Sequence, residues 1–262
     1  MVQDIFRGLQ VYSGAYALIS KLKLWKYFVI PMLISLVVFI LIFVSAYGLS
    51  DNLGEWIANI WPWETGKETF TAISTFIAGI VIFAIGLILF KHVIMALSSP
   101  IMSPVSEKIE TYYTGAPAVN ITNATFSKQL IRSIRIGLRN LTKELIYTLP
   151  ILLLKFIPVV NIFSTALLFL VQSYYAGVSN MDYTLERHFN YRESITFIKK
   201  HRGLAIGNGI GFLLLLFIPV IGVILVLPLS VTSASVITVD LLFDDDEGEH
   251  IGFEPFEIIE NR

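Results

Sequence analysis

A ten-residue phrase occurs twice in this chain, and each copy places a proline near the middle of a long apolar block. Residues 152–161 read LLLKFIPVVN and residues 213–222 read LLLLFIPVIG, with seven of the ten positions identical. The first block, residues 145–181, contains a single charge, Lys155, and the second, residues 204–239, contains none. A helix of about 36 residues would measure about 54 Å, whereas the hydrocarbon core of a bilayer measures about 30 Å. Each block is therefore too long for one straight span.

Each block is predicted to fold back on itself as a helical hairpin, because a proline interrupts the helix near its centre. Two full spans of about 20 residues and a turn need slightly more chain than either block provides. The arms, about 24 Å each, are expected to penetrate the bilayer only partly. The sequence thus predicts two related, wedge-like hairpins that bend at Pro158 and Pro219.

Two further apolar runs predict full transmembrane spans. Residues 27–50 and 70–90 carry no charge, and both are long enough to cross a bilayer. The loop between them, residues 51–68, holds four acids, one base and three tryptophans, and tryptophan is typical of a membrane–water interface. Downstream of the second span, Ser103 and Pro104 predict the N-cap and the first residue of a new helix.

The distribution of basic residues predicts the topology. The segment 91–144 and the N-terminal flank are rich in Lys and Arg, so both are expected in the cytoplasm, with the acidic loop outside. The basic segment around Arg192 follows the first proline-centred block. It would lie outside if that block crossed once, and it returns to the cytoplasm if the block is a hairpin. Charge therefore favours the hairpin, with the N-terminus and the C-terminus both cytoplasmic.

Composition supports the same fold class. The mean hydropathy is +0.72, and only 15% of the residues are charged, well below the share in soluble domains. We predict an all-α integral membrane protein with one membrane domain, residues 1–243. It comprises two long transmembrane helices, two proline-kinked hairpins that penetrate partly, and amphipathic surface helices. Residues 244–262 form an acidic tail that is predicted to be disordered.

Five basic residues share one face of a helix predicted over residues 127–143, because they recur at intervals of three or four. Leucines and isoleucines gather on the opposite side. This basic face either binds anionic lipid headgroups or forms an electropositive vestibule that concentrates anions; the two roles are compatible. The five residues are Lys128, Arg132, Arg135, Arg139 and Lys143.

Catalytic motifs are missing from the sequence. The four histidines lack metal-ligand spacing, there is no GxxxxGK phosphate loop, and no nucleophile is paired with a base. The absence of cysteine excludes disulfides and zinc–thiolate sites. We expect no enzymatic activity, no cofactor, no metal site and no nucleic-acid partner. The glycines at positions 203, 207, 209 and 211 are interpreted as sites of close helix packing.

Polar groups within the apolar blocks are candidates for a transport pathway, because they are costly in a membrane. Lys155 lies three residues before Pro158, near the predicted hairpin tip. It either snorkels to the far interface or faces a pore and attracts an anion. Asn161 and Asn208 either line the same route or form hydrogen bonds between helices.

Several stretches resemble the CysZ-type sulfate permeases, within the broader etoposide-induced-protein domain family. They are residues 98–108 (SSPIMSPVSEK), 181–187 (MDYTLER) and 199–207 (KKHRGLAIG), followed by the second Phe-Ile-Pro phrase. In order and spacing, the resemblance covers most of residues 27–242. It implies a homo-oligomer in the bacterial inner membrane that takes up sulfate for cysteine synthesis. It also implies passive, channel-like movement without ATP.

One phrase departs from the family pattern. The sulfate permeases carry Gly-Leu-Arg-Arg before the first span, associated with sulfate binding, whereas residues 23–26 here read KLWK when aligned on Pro31. Lysine attracts sulfate to a helix N-terminus but lacks the bidentate fork of arginine. Lys23 and Lys26 are therefore predicted to bind the anion, with Lys155 as an inner waypoint. The alternative is that both lysines are ordinary positive-inside anchors.

Two functions remain open from the sequence. The first is a permease or channel for a small inorganic anion, with sulfate as the leading substrate. The second is a membrane protein that does not transport but shapes lipid or organises partners through its hairpins and basic helix. The first predicts anion flux and the second predicts none, together with a strong dependence on anionic lipid.

Overall fold

The computed structural model describes residues 1–63, 65–118, 125–154, 157, 160–218 and 221–247. Every regular element in these ranges is a helix, which confirms the prediction of an all-α membrane protein. In chain order the helices are α1 (Val2–Gln10), α2 (Tyr12–Lys21), α3 (Trp25–Ala58), α4 (Lys67–Thr114), α5 (Phe126–Leu154), α6 (Asn161–His188), α7 (Tyr191–Lys200), α8 (Arg202–Leu216) and α9 (Ile221–Glu247).

Helices α3 and α4 form a long antiparallel pair that contains both predicted spans. They have 34 and 48 residues, so they measure about 51 and about 72 Å and extend beyond a bilayer core of about 30 Å. Their outward surface is apolar, and Phe43, Tyr47 and Phe76 are exposed on it. This surface suits contact with lipid.

The predicted helix break at Ser103 and Pro104 is wrong, because α4 continues through Pro100 and Pro104 to Thr114. Prolines are tolerated inside membrane helices where neighbouring groups compensate the disturbed backbone. Side chains of α6 also bond to the backbone of α4 in this region: the Tyr183 hydroxyl donates to the carbonyl oxygen of Met95 at 2.6 Å, and Arg187 donates to that of Ser103 at 3.2 Å.

Both proline-centred blocks fold as helix–turn–helix units, as predicted. Helix α5 ends at Leu154 and α6 begins at Asn161, while α8 ends at Leu216 and α9 begins at Ile221. Pro158, like Pro219, lies outside the described residues. The turns therefore fall where the repeated phrase predicts them.

Three of the four hairpin arms, α5, α6 and α9, are longer than predicted, whereas α8, with 15 residues, is about as long as predicted. In the described residues four segments are long and apolar enough to cross a membrane, namely α3, α4, α6 and residues 224–243 of α9, rather than two. Helix α6 runs past the apolar block to His188, because Asp182 and Arg187 find partners inside the protein. Helix α9 runs to Glu247 and so includes residues 244–247 of the predicted acidic tail. Residues 248–262 lie outside the described residues.

The predicted amphipathic helix is the first part of α5 and continues without interruption into the hairpin. Its buried face is largely polar and includes Ser133, Asn140, Glu144 and Thr148. Several isoleucines and leucines on its other side, such as Ile131, Ile134 and Leu138, are exposed. After Glu144 the exposed side of α5 is apolar, with Leu145, Ile146 and Leu149, as expected of a helix in contact with lipid.

The hairpin α8–α9 forms the centre of the protein. Helix α9 packs against α2, α3, α4, α6 and α8, and the side chains of Ser230, Thr232, Ala234 and Thr238 on it are buried. Small residues allow the close helix approach that stabilises membrane bundles.

Helix α1 and the later part of α9 lie at the same end of the bundle. A guanidinium nitrogen of Arg7 on α1 lies 2.7 Å from a carboxylate oxygen of Asp240 on α9. Arg135 on α5 stacks over the ring of Tyr191 on α7, with 5.4 Å between the guanidinium carbon and the ring centre. The chain thus returns after the first hairpin to the end from which it entered.

Candidate functional site

The two most polar family-like stretches face each other in the interface between α4 and α6. The Ser106 and Thr184 hydroxyl oxygens are 2.7 Å apart and hydrogen-bonded. Ser98 and Ser99, at the start of the first stretch, are fully buried. Residues 98–108 and 181–187 therefore form one polar surface inside apolar helices, where such groups mark functional sites more often than elsewhere.

A buried ion pair lies near one end of this interface. Arg187 on α6 is 1% exposed and Glu110 on α4 is also 1% exposed. A guanidinium nitrogen of Arg187 lies 2.5 Å from a Glu110 oxygen, and the His188 Nε2 lies 3.0 Å from the same oxygen. Buried charges are tolerated only when they are paired in this way.

A second ion pair connects α5 with α6. Arg132 donates to a carboxylate oxygen of Asp182 at 3.1 Å, to the carbonyl oxygen of Phe189 at 3.0 Å and to the Ser194 hydroxyl at 3.0 Å. Arg132 belongs to the predicted basic face, but the structure turns it inward, where it fastens the beginning of α7 to α5 and α6.

A third pair lies deeper, between α4 and α5. Lys91 Nζ is 2.6 Å from Glu144 Oε1, and His92 Nε2 is 3.3 Å from Glu144 Oε2. The charges of Lys91 and Glu144 therefore compensate each other in the buried interface.

The three pairs extend along the long axis of the bundle. Glu110 and Lys91 are separated by 19 positions of α4, which corresponds to about 28 Å and nearly equals the thickness of the hydrocarbon core. Between the second and third pairs lies a cavity of about 10 Å³, lined by His92, Ser133 and Asp182 among others. It holds about one water molecule at most, so the space between these two pairs is closed to an ion as large as sulfate.

The predicted anion-binding lysines lie at the turn between α2 and α3. Lys23 and Lys26 are both exposed. The ammonium groups of Lys26 and Lys108 lie 5.2 and 5.6 Å from the centre of the Tyr27 ring. Lys21 Nζ donates to the Tyr112 hydroxyl at 2.9 Å. The fold therefore adds two cations, Lys21 and Lys108, that sequence reasoning did not include.

The structure does not bring the predicted pathway residues together. Asn161 is exposed at the first position of α6. Asn208 is buried in α8, where its side-chain oxygen accepts from Asn180 at 2.8 Å and its side-chain nitrogen donates to the carbonyl of Ser230 at 3.0 Å. Asn161 and Asn180 are about 28 Å apart along α6. Lys155 lies outside the described residues.

The remaining members of the basic face have different surroundings. Lys128 and Lys143 are exposed, as is Arg135. Arg135 and Arg139 both approach the ring of Tyr191, with 5.4 and 5.9 Å between guanidinium carbon and ring centre. Arg139 and Lys143 also line a pocket between α5 and α6.

Sequence reasoning missed most of the buried charges. Lys91 and His92 served only to mark the end of an apolar run, and Glu144 the beginning of the next. Their partners lie far away in sequence, so that spacing did not connect them. One signal was present in residues 181–187, where two acids four positions apart precede an arginine at the end of an apolar block. In the described residues no three His, Asp or Glu side chains are grouped to hold a metal ion.

Comparison with known families adds an independent finding. A family model described as sulfate transporter CysZ/etoposide-induced protein 2.4 matches residues 12–227. That range includes the turn before α3, the α4–α6 polar interface and both hairpin turns. A comparison with curated proteins gave no match.

Proposed function

The chain belongs to the family of the sulfate transporter CysZ and the etoposide-induced protein 2.4, and on that premise we propose that it is a membrane permease for a small inorganic anion. Sulfate is the leading substrate, and movement is passive, without ATP. The observation that carries the proposal is the family match over most of the chain. The buried ion pairs between membrane helices support it, because charges in such positions are costly unless they serve a function.

The proposed route begins at the lysines around the α2–α3 turn. Lys21, Lys23, Lys26 and Lys108 concentrate anions at this end of the bundle. From there the anion passes to the cations of the buried pairs. There each cation contacts the anion in turn, because an anion in the interior needs a positively charged partner. The close contact within each pair accounts for the closed conformation.

Several finer assignments belong to the same proposal. Lys155 is an inner waypoint near the tip of the first hairpin, and Asn161 and Asn208 contribute polar groups to the route. The exposed members of the basic face, Lys128 and Arg135, contact anionic headgroups. The protein acts as a homo-oligomer in a bacterial inner membrane, with both termini cytoplasmic, and supplies sulfate for cysteine synthesis.

Flux into proteoliposomes tests this function. Vesicles that contain the purified protein are expected to accumulate labelled sulfate down its gradient without nucleotide. The variant Lys23→Ala/Lys26→Ala is expected to lower the initial rate several-fold, because two positive charges that concentrate the anion are removed. The charge-matched control Arg192→Ala/Lys200→Ala, at two other exposed positions, is expected to keep the rate.

The flux results separate the claims. Sulfate uptake no faster than in protein-free vesicles overturns the permease proposal for sulfate. Uptake that persists unchanged in Lys23→Ala/Lys26→Ala removes these lysines from the route but leaves the permease. Faster uptake of another anion, such as chloride or phosphate, replaces sulfate as the substrate.

A second candidate function is favoured by the closed interior. The cavity between the second and third pairs holds about one water molecule, and the outer surface of α3 and α4 is apolar. These features also suit a protein that shapes lipid or organises partners without transport. That function predicts no flux of any anion in the same vesicles.

A further inference from the structure

A pocket between α5, α6, α7 and α8 lies apart from the proposed sulfate route and is lined by four cations. Its volume is about 580 Å³, within the range of small-molecule sites in proteins. Arg139 and Lys143 come from α5, Lys199 from the end of α7 and Arg202 from the start of α8. None of the described residues that line the pocket is acidic. The pocket therefore presents concentrated positive charge.

These four cations lack carboxylate partners within the described part of the chain. Arg139 donates to the side-chain oxygen of Asn140 at 3.2 Å, and no salt bridge of the described residues involves any of the four. The buried cations Lys91, Arg132 and Arg187 differ, because each has a carboxylate within 3.1 Å. The charge in the pocket is thus available to an anionic ligand, and several such donors bind a phosphate oxyanion strongly.

The pocket changes from charged to apolar along its length. Along α5, Arg139, Lys143 and Tyr147 follow one another at four-residue intervals toward the hairpin turn. Helix α6 runs in the opposite direction and contributes Tyr174 and then, nearer its own start at the turn, Leu170. Four residues correspond to about one turn of helix. Arg139 and Tyr147 are therefore about two turns, or about 12 Å, apart along α5. The cations therefore lie away from the hairpin turns and the apolar lining lies toward them.

We propose that this pocket binds one anionic phospholipid, with the phosphate of the headgroup among the four cations and an acyl chain along the apolar end. A free sulfate or phosphate ion shares the oxyanion chemistry but leaves the apolar end and most of the volume unused, since a water molecule takes only about 30 Å³. The tyrosines that line the middle suit the membrane–water interface. The proposal does not depend on sulfate transport.

Lipid retention measured by native mass spectrometry tests the site on the full-length protein in neutral detergent. The probe is dioleoyl phosphatidylglycerol, and the variant is Lys143→Gln/Lys199→Gln. The matched control is Arg192→Gln/Lys200→Gln, which also removes two positive charges, from exposed positions of α7 outside the pocket. The pocket variant is expected to bind at least about tenfold more weakly, because each lost charge-assisted contact is worth about 1.4 kcal/mol or more. The control is expected to bind as the unaltered protein does.

Three further arms identify the ligand. Lys143→Arg/Lys199→Arg is expected to retain binding, because arginine keeps the positive charge. This result would show that the glutamine variant loses lipid through its lost charge and not through misfolding. Dioleoyl phosphatidylcholine, which has the same chains without net charge, is expected to bind at least about tenfold more weakly than phosphatidylglycerol. Inorganic phosphate and sulfate are expected not to displace the lipid at equal concentration. Equal loss in the pocket variant and the control, equal binding of the two lipids, or displacement by the free ions overturns the proposal.

Discussion

Lys23 occupies a backbone conformation that ordinarily belongs to glycine. Its φ angle is 53°, and it follows α2 in a Schellman turn, in which Leu24 N–H donates to the carbonyl of Ile19 at 2.9 Å and Lys23 N–H to that of Ser20 at 3.2 Å. The sulfate permeases that the chain resembles have a glycine here. The turn therefore persists without its preferred residue, and lysine contributes a charge at the cost of backbone strain.

Lys23→Gly is expected to raise the free energy of unfolding by about 1 kcal/mol, because glycine adopts the left-handed conformation without strain. Lys26→Gly removes the same charge from the right-handed first turn of α3 and is expected to lower it by up to about 1 kcal/mol. Thermal unfolding in detergent, followed by circular dichroism, measures both. A loss of stability in Lys23→Gly comparable to that in Lys26→Gly would contradict the strain.

The sequence identifies exposed charges at this scale more readily than buried ones. Lys23 and Lys26 directly precede an apolar run, so their position in the sequence is enough to predict that they are exposed. The partner of Glu144, by contrast, is Lys91, and that of Arg187 is Glu110, which is 77 positions earlier. Only the packing of α4, α5 and α6 brings such residues together, so single-sequence patterns do not reveal the pairs.

At two of its glycines, α8 packs closely against the backbone of neighbouring helices. A Cβ atom added at Gly209 would overlap the backbone of Ser173 on α6, and one added at Gly207 would overlap that of Ile5 on α1. This confirms that the glycines of α8 serve close packing. Helix α8 is thus held between α6 on one side and the N-terminal helices on the other.

Gly209→Ala is expected to lower the free energy of unfolding by at least about 2 kcal/mol, because a main-chain atom cannot move aside as a side chain does. The matched control is Gly48→Ala in α3, where a Cβ would meet nothing within 4 Å. Alanine is expected to be neutral or stabilising there, by up to about 1 kcal/mol. Unfolding curves in denaturing detergent compare the two; similar losses in both variants would contradict the close approach.

At the scale of the helices, the sequence predicts where the hairpins turn but not how long their arms are. The repeated proline phrase locates both hairpin turns, since it interrupts two long apolar blocks at the same position. It does not give the length of the arms, because α6 extends through Asp182 and Arg187, whose charges are compensated by Arg132 and Glu110. The prolines of α4 also mislead, because α4 continues through both Pro100 and Pro104.

At the scale of the whole molecule, the basic segments before and after the first hairpin lie at one end of the bundle. The stacking of Arg135 on Tyr191 joins the segments before and after the first hairpin. The α3–α4 turn lies at the opposite end, because α3 runs the full length of the bundle before α4 returns to Lys21 and Tyr27. This arrangement fixes which segments share a side of the membrane.

Cysteine labelling tests the arrangement directly, since the chain contains no cysteine of its own. Arg135→Cys and Arg192→Cys are expected to react with a membrane-impermeant maleimide from the same side of oriented vesicles. Asn59→Cys, at the end of α3, is expected to react only from the other side. Labelling of positions 135 and 192 from opposite sides would exclude the hairpin and with it the proposed route.

The salt bridge between Arg7 and Asp240 also has a consequence for biosynthesis. Helices α1 and α2 leave the ribosome before α8 and α9, which build most of their docking surface. Until α8 and α9 have been synthesised, the N-terminal helices lack this surface and must wait at the surface of the bilayer. A protein truncated before α8 would therefore insert its first spans but leave its beginning undocked and open to proteolysis.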